Sequence, residues 1–323
     1  MKTILMSSAV VLSMASLATT AEEMSTSFSW GDVTFQPRAY VGYADYKLDS
    51  GVFTFTEGDS LPLSGHLNFD HDNHDKIEFS GLIGGIGGTV GYGQFFGDFY
   101  YQSTLNEVAY SGYSTQERLV DEQTGETQLD FNYNRGDVKA QHADWALSLG
   151  YLITDRWAVF AGYKSGNTDW DQPIQLIAIS PISGLIENAK ISGKFDQDGP
   201  FLGTSYSFPI GPGALTLKAA YAYLDGAYKW SFNDYSLIDD MSQSVYLNLD
   251  GHSNAFSIGV SWTQSLTDNL GYSIGANYHQ YRFDMSGTST ATEQNTGELN
   301  QDVTGGSLTE DLFTLTASLL YRF

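Results

Sequence analysis

The sequence predicts an all-β protein, a closed antiparallel up-and-down β-barrel that crosses a membrane with about ten strands. Three observations predict this fold: an N-terminal segment typical of export, repeated segments with apolar residues at every second position, and a regular alternation of short and long connections. No segment approaches the roughly 18 continuous apolar residues of a membrane-spanning helix. Because a bilayer interior admits only helices or closed barrels, a barrel is expected.

The first 21 residues predict a secretory signal peptide. Lys2 supplies a positive start, an apolar stretch runs from Ile4 to about Leu17, and Thr19 and Ala21 are small residues suited to a cleavage site. Residues 22–323 are then expected to form a single exported domain. The chain has no cysteine, which excludes a disulfide framework and a cysteine-ligated metal.

The final segment, LFTLTASLLYRF, has apolar residues at every second position from Phe313 to Phe323, with polar residues at most of the positions between them, and ends on an aromatic residue. Such alternation is typical of a strand with one apolar face. The ending resembles the C-terminal signal of bacterial outer-membrane β-barrels, which implies that location and a contact of Phe323 with the barrel-assembly machinery. The edge strand of a soluble β-sandwich would alternate in the same way, so that alternative stays open.

Ten such segments occur along the chain. The predicted strands lie near 35–47, 77–91, 95–110, 140–153, 156–168, 198–209, 213–227, 253–265, 270–284 and from about 310 to the end. Short turns alternate with long polar connections, which lie near 48–76, 111–139, 169–197, 228–252 and 285–309. Long unstructured loops are expected on the outer side of a membrane barrel and short turns on the periplasmic side.

The formal net charge of −23 argues against nucleic-acid binding, which needs a basic surface. The five long connections hold 23 of the 38 acidic residues, so the outer surface is expected to be anionic. Beside lipopolysaccharide, which is also anionic, such a surface favours bridging by divalent cations or simple solubility. Outer-membrane lipid and lipopolysaccharide are the expected partners, together with an unidentified extracellular ligand.

Strand periodicity predicts which polar side chains enter the barrel. They are Arg38, Glu78, Asp98, His142, Asp144, Lys164, Lys218 and His279. Charges inside a narrow barrel must be paired, so a nearly neutral interior is expected. This set indicates either a stabilising polar plug or a lumen for small solutes.

The stretch NFDHDNHDKIEF is the densest group of candidate metal ligands. Its members are Asp70, His71, Asp72, His74 and Asp75. Imidazole and carboxylate ligands suit zinc or nickel. Its position at the end of the first long connection equally indicates a solvated acidic loop.

Ten strands with long outer loops resemble the omptin family of outer-membrane proteases, and DLFTLTASLLYRF and LGYSIGANYHQYRF look like its last two strands. The resemblance implies a His–Asp pair that activates water, opposite a pair of aspartates. At a place comparable to the family's Asp-x-His stand Asp250 and His252; Asp137 and Asp144 are the candidates on the other side. The second outer connection contains no Asp-x-Asp pair.

No other catalytic motif and no cofactor-binding motif is recognised. The expected function is therefore that of an integral outer-membrane barrel without a cofactor, which acts through its exposed acidic loops or as a narrow channel. An omptin-like endopeptidase and a porin for small solutes are the alternatives.

Overall fold

The computed structural model describes residues 33–50, 54–55, 67–68, 75–106, 108–110, 116–121, 127–135, 138–179, 184–236, 242–293 and 297–323. The predicted signal peptide, residues 1–21, lies outside these ranges. Within them, no helix is long and apolar enough to cross a membrane.

Ten antiparallel strands form one closed barrel, which confirms the predicted fold. They are β1 (Val33–Ser50), β2 (Asp75–Tyr92), β3 (Phe95–Thr104), β4 (Val138–Thr154), β5 (Trp157–Ile179), β6 (Gly184–Ile210), β7 (Gly213–Ser236), β8 (Ser242–Ser265), β9 (Leu270–Glu293) and β10 (Ser307–Tyr321). Each strand pairs with the next, and β10 closes onto β1 with Ala317 opposite Val41. Short additional strands pair within the long connections; they cover 54–55, 67–68, 108–110, 116–121, 127–135 and 297–305.

The four short connections lie at one end of the barrel, called the turn end; the opposite end is the loop end. Gly93 and Gly211 stand in two of these turns with φ of 58° and 57°. This left-handed conformation suits tight hairpins and favours glycine. The amide of Phe323 donates to the carbonyl of Phe35 at 3.3 Å, so the last residue lies beside the first strand at the turn end.

Several strands continue far beyond their predicted limits, and the expectation of unstructured loops at 169–197, 228–252 and 285–309 is wrong for most of their length. β5 and β6 stay paired as far as Ile179 opposite Gly184. Outside a bilayer neither wall must be apolar along its whole length, so the period-two signal of a membrane strand fades although backbone pairing continues. We call these paired parts of β5–β9 the extension; it comprises 169–179, 184–198, 225–236, 242–254 and 280–293.

The outer wall near the turn end carries an apolar band that suits a lipid environment. Leu149, Leu202 and Leu319 are among its most exposed side chains. Aromatic residues border the band on both sides and are exposed. They are Tyr151, Trp157, Phe208 and Phe323 at the turn end, and Tyr163 and Tyr223 towards the extension.

The inner wall changes in character along the barrel axis. Near the turn end it is lined by a hydroxyl layer of small buried side chains, namely Ser205, Ser207, Thr216, Ser261, Ser273, Thr316 and Ser318. Charged and amide side chains follow at mid-height. Level with the extension lies an apolar layer of fully buried side chains, namely Tyr46, Leu48, Phe195, Leu224, Tyr228, Leu249, Phe283, Met285 and Leu308. The core therefore lies inside the barrel and outside the apolar band.

The prediction that Glu78 faces inward is wrong. Its neighbour Phe79 is buried inside the barrel, so Glu78 points outward, opposite Lys47 of β1. The segment GLIGGIGGTVG has apolar residues at both odd and even positions, which leaves its inward face undetermined by periodicity. The structure resolves this, because Leu82 and Ile86 are exposed whereas Ile83 is buried.

Candidate functional site

A buried ion pair joins β1 to β3 across the intervening strand. Arg38 donates from Nη1 to Asp98 Oδ2 at 2.7 Å and from Nη2 to Oδ1 at 2.9 Å. Thr89 donates to the same carboxylate at 2.6 Å. Gly87 leaves room for the guanidinium, since a Cβ there would lie 2.9 Å from Arg38 Cζ. Both charges are thus paired in a bidentate arrangement, as burial demands.

A second network is built on His142 and Asp144, which are two residues apart on β4 and therefore enter the lumen together. His142 Nε2 lies 3.2 Å from Asp144 Oδ2, and Gln102 donates to the same oxygen at 2.7 Å. The hydroxyl of Thr168 links His142 Nδ1, at 2.8 Å, to the hydroxyl of Tyr46, at 2.9 Å. The network connects four strands.

Lys164, Tyr281 and His279 form a third chain of hydrogen bonds. Lys164 Nζ donates to the Tyr281 hydroxyl at 2.5 Å and lies 4.3 Å from the centre of that ring. The Tyr281 hydroxyl lies 3.0 Å from His279 Nδ1. An ammonium can only donate, so the Tyr281 hydroxyl accepts from Lys164 and its own proton is free to be donated onward to His279 Nδ1. In that tautomer the neutral imidazole carries its proton on Nε2.

Glu310 is an interior carboxyl that the sequence prediction missed. It is fully buried, and neither carboxyl oxygen has a hydrogen-bond partner among the described residues. The alternation of β10 contains the signal, because Thr314, Thr316 and Ser318 face inward and Glu310 stands in step with them. The third interior carboxylate is therefore Glu310, and not Glu78 as predicted.

The interior is close to neutral, as predicted, with a corrected membership. Among the described residues its cations are Arg38, Lys164 and Lys218, and its carboxylates are Asp98, Asp144 and Glu310. A cavity of about 120 Å³ lies between the hydroxyl layer and the apolar layer. All three cations line it, whereas Asp98 is its only carboxylate lining residue among those described.

The apolar layer closes the lumen above this cavity. Rings of different strands meet within it: Phe195 and Phe283 are 5.1 Å apart edge to face. Around it, Tyr46 lies 4.6 Å from Phe79, and Tyr228 lies 5.8 Å from Trp170, measured between ring centres. Such packing leaves the lumen filled at this level, as expected for a barrel only slightly wider than eight strands.

Of the predicted catalytic residues that the structure describes, Asp250 and His252 lie apart from Asp144. Asp250 and His252 lie within β8, which begins at Ser242, and both point to the outside of the barrel. His252 Nδ1 lies 2.5 Å from Asp225 Oδ1, and its ring stacks on Tyr223. Asp144 is inside the lumen, on the opposite side of the barrel wall. Asp137 lies outside the described residues.

The candidate metal ligands Asp70, His71, Asp72 and His74 also lie outside the described residues, and only the backbone of Asp75 is described, as the first residue of β2. In the part of the chain that is described, no three His, Asp or Glu side chains are placed to hold a metal ion. Zinc or nickel binding by this stretch stays a prediction.

The outer wall of the extension carries a groove in which lysines outnumber aspartates by three to two, called the basic groove, which the sequence prediction did not identify. The groove has a volume of about 830 Å³, and Lys139, Lys194, Lys229, Asp169 and Asp171 contribute its charges. Lys194 Nζ lies 2.7 Å from Asp196 Oδ2, and this hydrogen bond raises the pKa of the lysine. Burial raises the pKa of Asp169. The lysines are far apart in sequence, and only the pairing of β4 to β7 gathers them.

Comparison with known proteins identifies the fold. No family model matches the sequence, and no curated protein matches it. Among solved structures, the outer membrane protease OmpT from Escherichia coli has a TM-score of 0.61 and 14% identity, over 92% of this chain and 99% of that one. A Pseudomonas aeruginosa FadL homologue reaches a TM-score of 0.34 at 10% identity, over 89% and 90% of the two chains. The chain thus has an omptin-like ten-stranded barrel fold, and the likeness is one of fold alone.

Proposed function

We propose that this protein is an integral outer-membrane barrel that is closed to solutes and acts through the wall of its extension outside the cell. The apolar layer is the observation that carries the proposal. It contains nine fully buried side chains from six strands, and it lies across the lumen. A porin needs a water-filled lumen, which this packing does not leave.

Planar-bilayer recording tests closure. The purified wild-type barrel is expected to insert without steady conductance, while a porin in the same bilayer serves as a positive control for insertion and recording. Steady single-channel steps from the wild-type protein would overturn the proposal and favour the porin alternative.

The lysines of the basic groove favour an anionic glycolipid of the outer leaflet, such as lipopolysaccharide, as the partner that binds to this wall. On β6, Lys194 lies six residues beyond Pro200, which pairs with the belt residue Tyr163. At about 3.3 Å per residue the groove is therefore roughly 20 Å along the strand from the belt, beyond the acyl chains. Lysines at this level are placed to meet sugar phosphates, and each contributes about 1 kcal/mol near an anionic surface.

The double variant Lys194→Met/Lys229→Met tests this partner. We expect binding of lipopolysaccharide to weaken about thirtyfold, because two such lysines together contribute about 2 kcal/mol. Bound lipopolysaccharide is measured by mass spectrometry after gentle extraction. Lys47→Met, on the outer face of β1, is the matched control and should bind as the wild type does. Equal loss in the control, or no loss in the double variant, would remove the groove from the proposal.

The endopeptidase alternative can be separated by one assay. Its two candidate histidine–aspartate pairs are on opposite sides of the wall: His252 with Asp225 outside, and His142 with Asp144 beneath the apolar layer. Cleavage of basic and acidic peptides by the folded protein, lost in His252→Ala or in His142→Ala, would support that alternative and identify the pair. A closed binding barrel predicts no cleavage by the wild type.

A further inference from the structure

The cavity in the lumen carries an excess of positive charge. Arg38, Lys164 and Lys218 line it, and Asp98 is its only carboxylate among the described residues. The oxygens of Asp98 already accept from Arg38 and Thr89. The two other interior carboxylates do not line the cavity. Its described lining thus holds two more positive than negative formal charges.

Neutral donors reinforce this excess. His279 lines the cavity, and in the tautomer whose Nδ1 accepts from Tyr281 its Nε2 is a donor. Asn277 and Ser257 line the same space and add an amide and a hydroxyl. The described lining is therefore rich in donors, and its one charged acceptor is engaged.

We infer that this cavity is a binding site for a small anion. The interior as a whole is close to neutral, but Asp144 and Glu310 lie outside the cavity lining, so an anion in the cavity meets the cationic side of this arrangement. The size of the cavity limits the ligand. A water needs about 10–15 Å³ of such volume, so 120 Å³ accommodates a halide with water or an oxyanion of a few heavy atoms. Sugars and peptides are too large.

We expect the anion to enter from the turn end, through a polar layer that must open to admit it. Between it and that end lies the hydroxyl layer, in which the buried hydroxyls of Ser205, Ser261 and Thr316 have no hydrogen-bond partner among the described residues. Such groups favour a polar path for small solutes. Towards the loop end the apolar layer blocks passage, so the anion exchanges with one side only.

Anion-dependent thermal unfolding of the purified full-length barrel in a zwitterionic detergent tests the site. Bromide and inorganic phosphate are titrated at constant ionic strength against gluconate, which is too large to enter. We expect saturable stabilisation of the wild type by at least one probe, and an apparent affinity at least about tenfold weaker in Lys218→Met, because one of the facing charges is lost. Lys47→Met, the same substitution on the outer face of β1 and outside both the groove and the cavity, should match the wild type.

Equal anion effects in all three proteins, or none in the wild type, would overturn the inference. If Lys218→Met does not fold, wild-type crystals soaked in bromide give an independent answer. An anomalous peak within hydrogen-bond reach of Lys164 or Lys218 Nζ supports the site, and a cavity without such a peak overturns it. Neither readout depends on whether the barrel conducts or binds lipopolysaccharide.

Discussion

The apolar band and the extension are built from the same strands but are inside out with respect to each other. On β6 the outward side chains of the band are Leu202, Tyr206 and Phe208, while those of the extension include Lys194 and Asp196. The inward positions reverse this order, from Ser205 and Ser207 in the band to Phe195 in the extension. The same alternate positions of the strand face inward along its whole length, whereas the medium around the barrel changes from lipid to water. Lipid selects apolar side chains outside, and water selects them inside.

Phe195→Ala should have the largest effect, because it removes a fully buried ring from the apolar layer. We expect the free energy of unfolding to fall by about 4 kcal/mol, the usual scale for such a truncation. Urea unfolding in micelles, followed by heat-modifiable gel migration, measures it. Phe208→Ala in the lipid-facing wall is the control. An equal loss from both would mean that the two regions do not differ as described.

Breaking the buried pair by Arg38→Met should cost slightly less, about 3 kcal/mol, because Asp98 is left charged and buried without its partner. The same unfolding measurement applies. The double variant Arg38→Met/Asp98→Leu should recover much of the loss, since no unpaired charge remains. A double variant as unstable as the single one would argue that packing, and not charge, makes this pair important.

A lysine added to the outer wall separates the two regions most directly. Ile258→Lys places a charge in the apolar band and should destabilise the inserted barrel by roughly 3 kcal/mol. Ser286→Lys, on the outward face of the neighbouring strand in the extension, lies opposite Asp250 and should be neutral. Unfolding from lipid vesicles compares them. If both variants lose similar stability, the limit of the band is misplaced.

Asp225→Asn should have the smallest effect, less than about 1 kcal/mol, because its pair with His252 is exposed on the outer wall. Unfolding titrations at pH 6 and at low and high salt would measure it. A loss comparable to that of Arg38→Met would show that this pair is more protected than its exposure indicates.

Prediction from sequence succeeded where lipid imposes a pattern. In β10 and β8 the band alternates strictly, and both strands were recognised. It failed where water surrounds the wall: Leu247 and Leu249 alternate with Asn248 and Asp250, but the outward positions are polar and charged, so the segment lacks the apolar outer face of a membrane strand and is predicted as part of a long polar connection. The side of the wall on which Glu78 lies could not be predicted, because the rest of its strand has glycines and apolar residues at both odd and even positions.

The contacts between interior side chains could not be predicted from the sequence for another reason. The alternation of a strand predicts which residues face inward, among them Lys164 and His279. Their partners, however, depend on how distant strands are staggered around the barrel. Lys164 and Tyr281 are 117 residues apart, and nothing local in either segment relates them. The basic groove has the same origin, since its lysines come from three different strands.

The apolar layer has a consequence for how the barrel forms. Its side chains come from both sides of the seam, with Leu48 on β1 and Leu308 on β10, as well as from β6 to β9. An open sheet cannot assemble this layer, because its members meet only when the first and last strands join. Much of the stabilisation is therefore gained when the barrel closes. An unclosed sheet lacks the burial energy of the complete layer, so folding is expected to be cooperative.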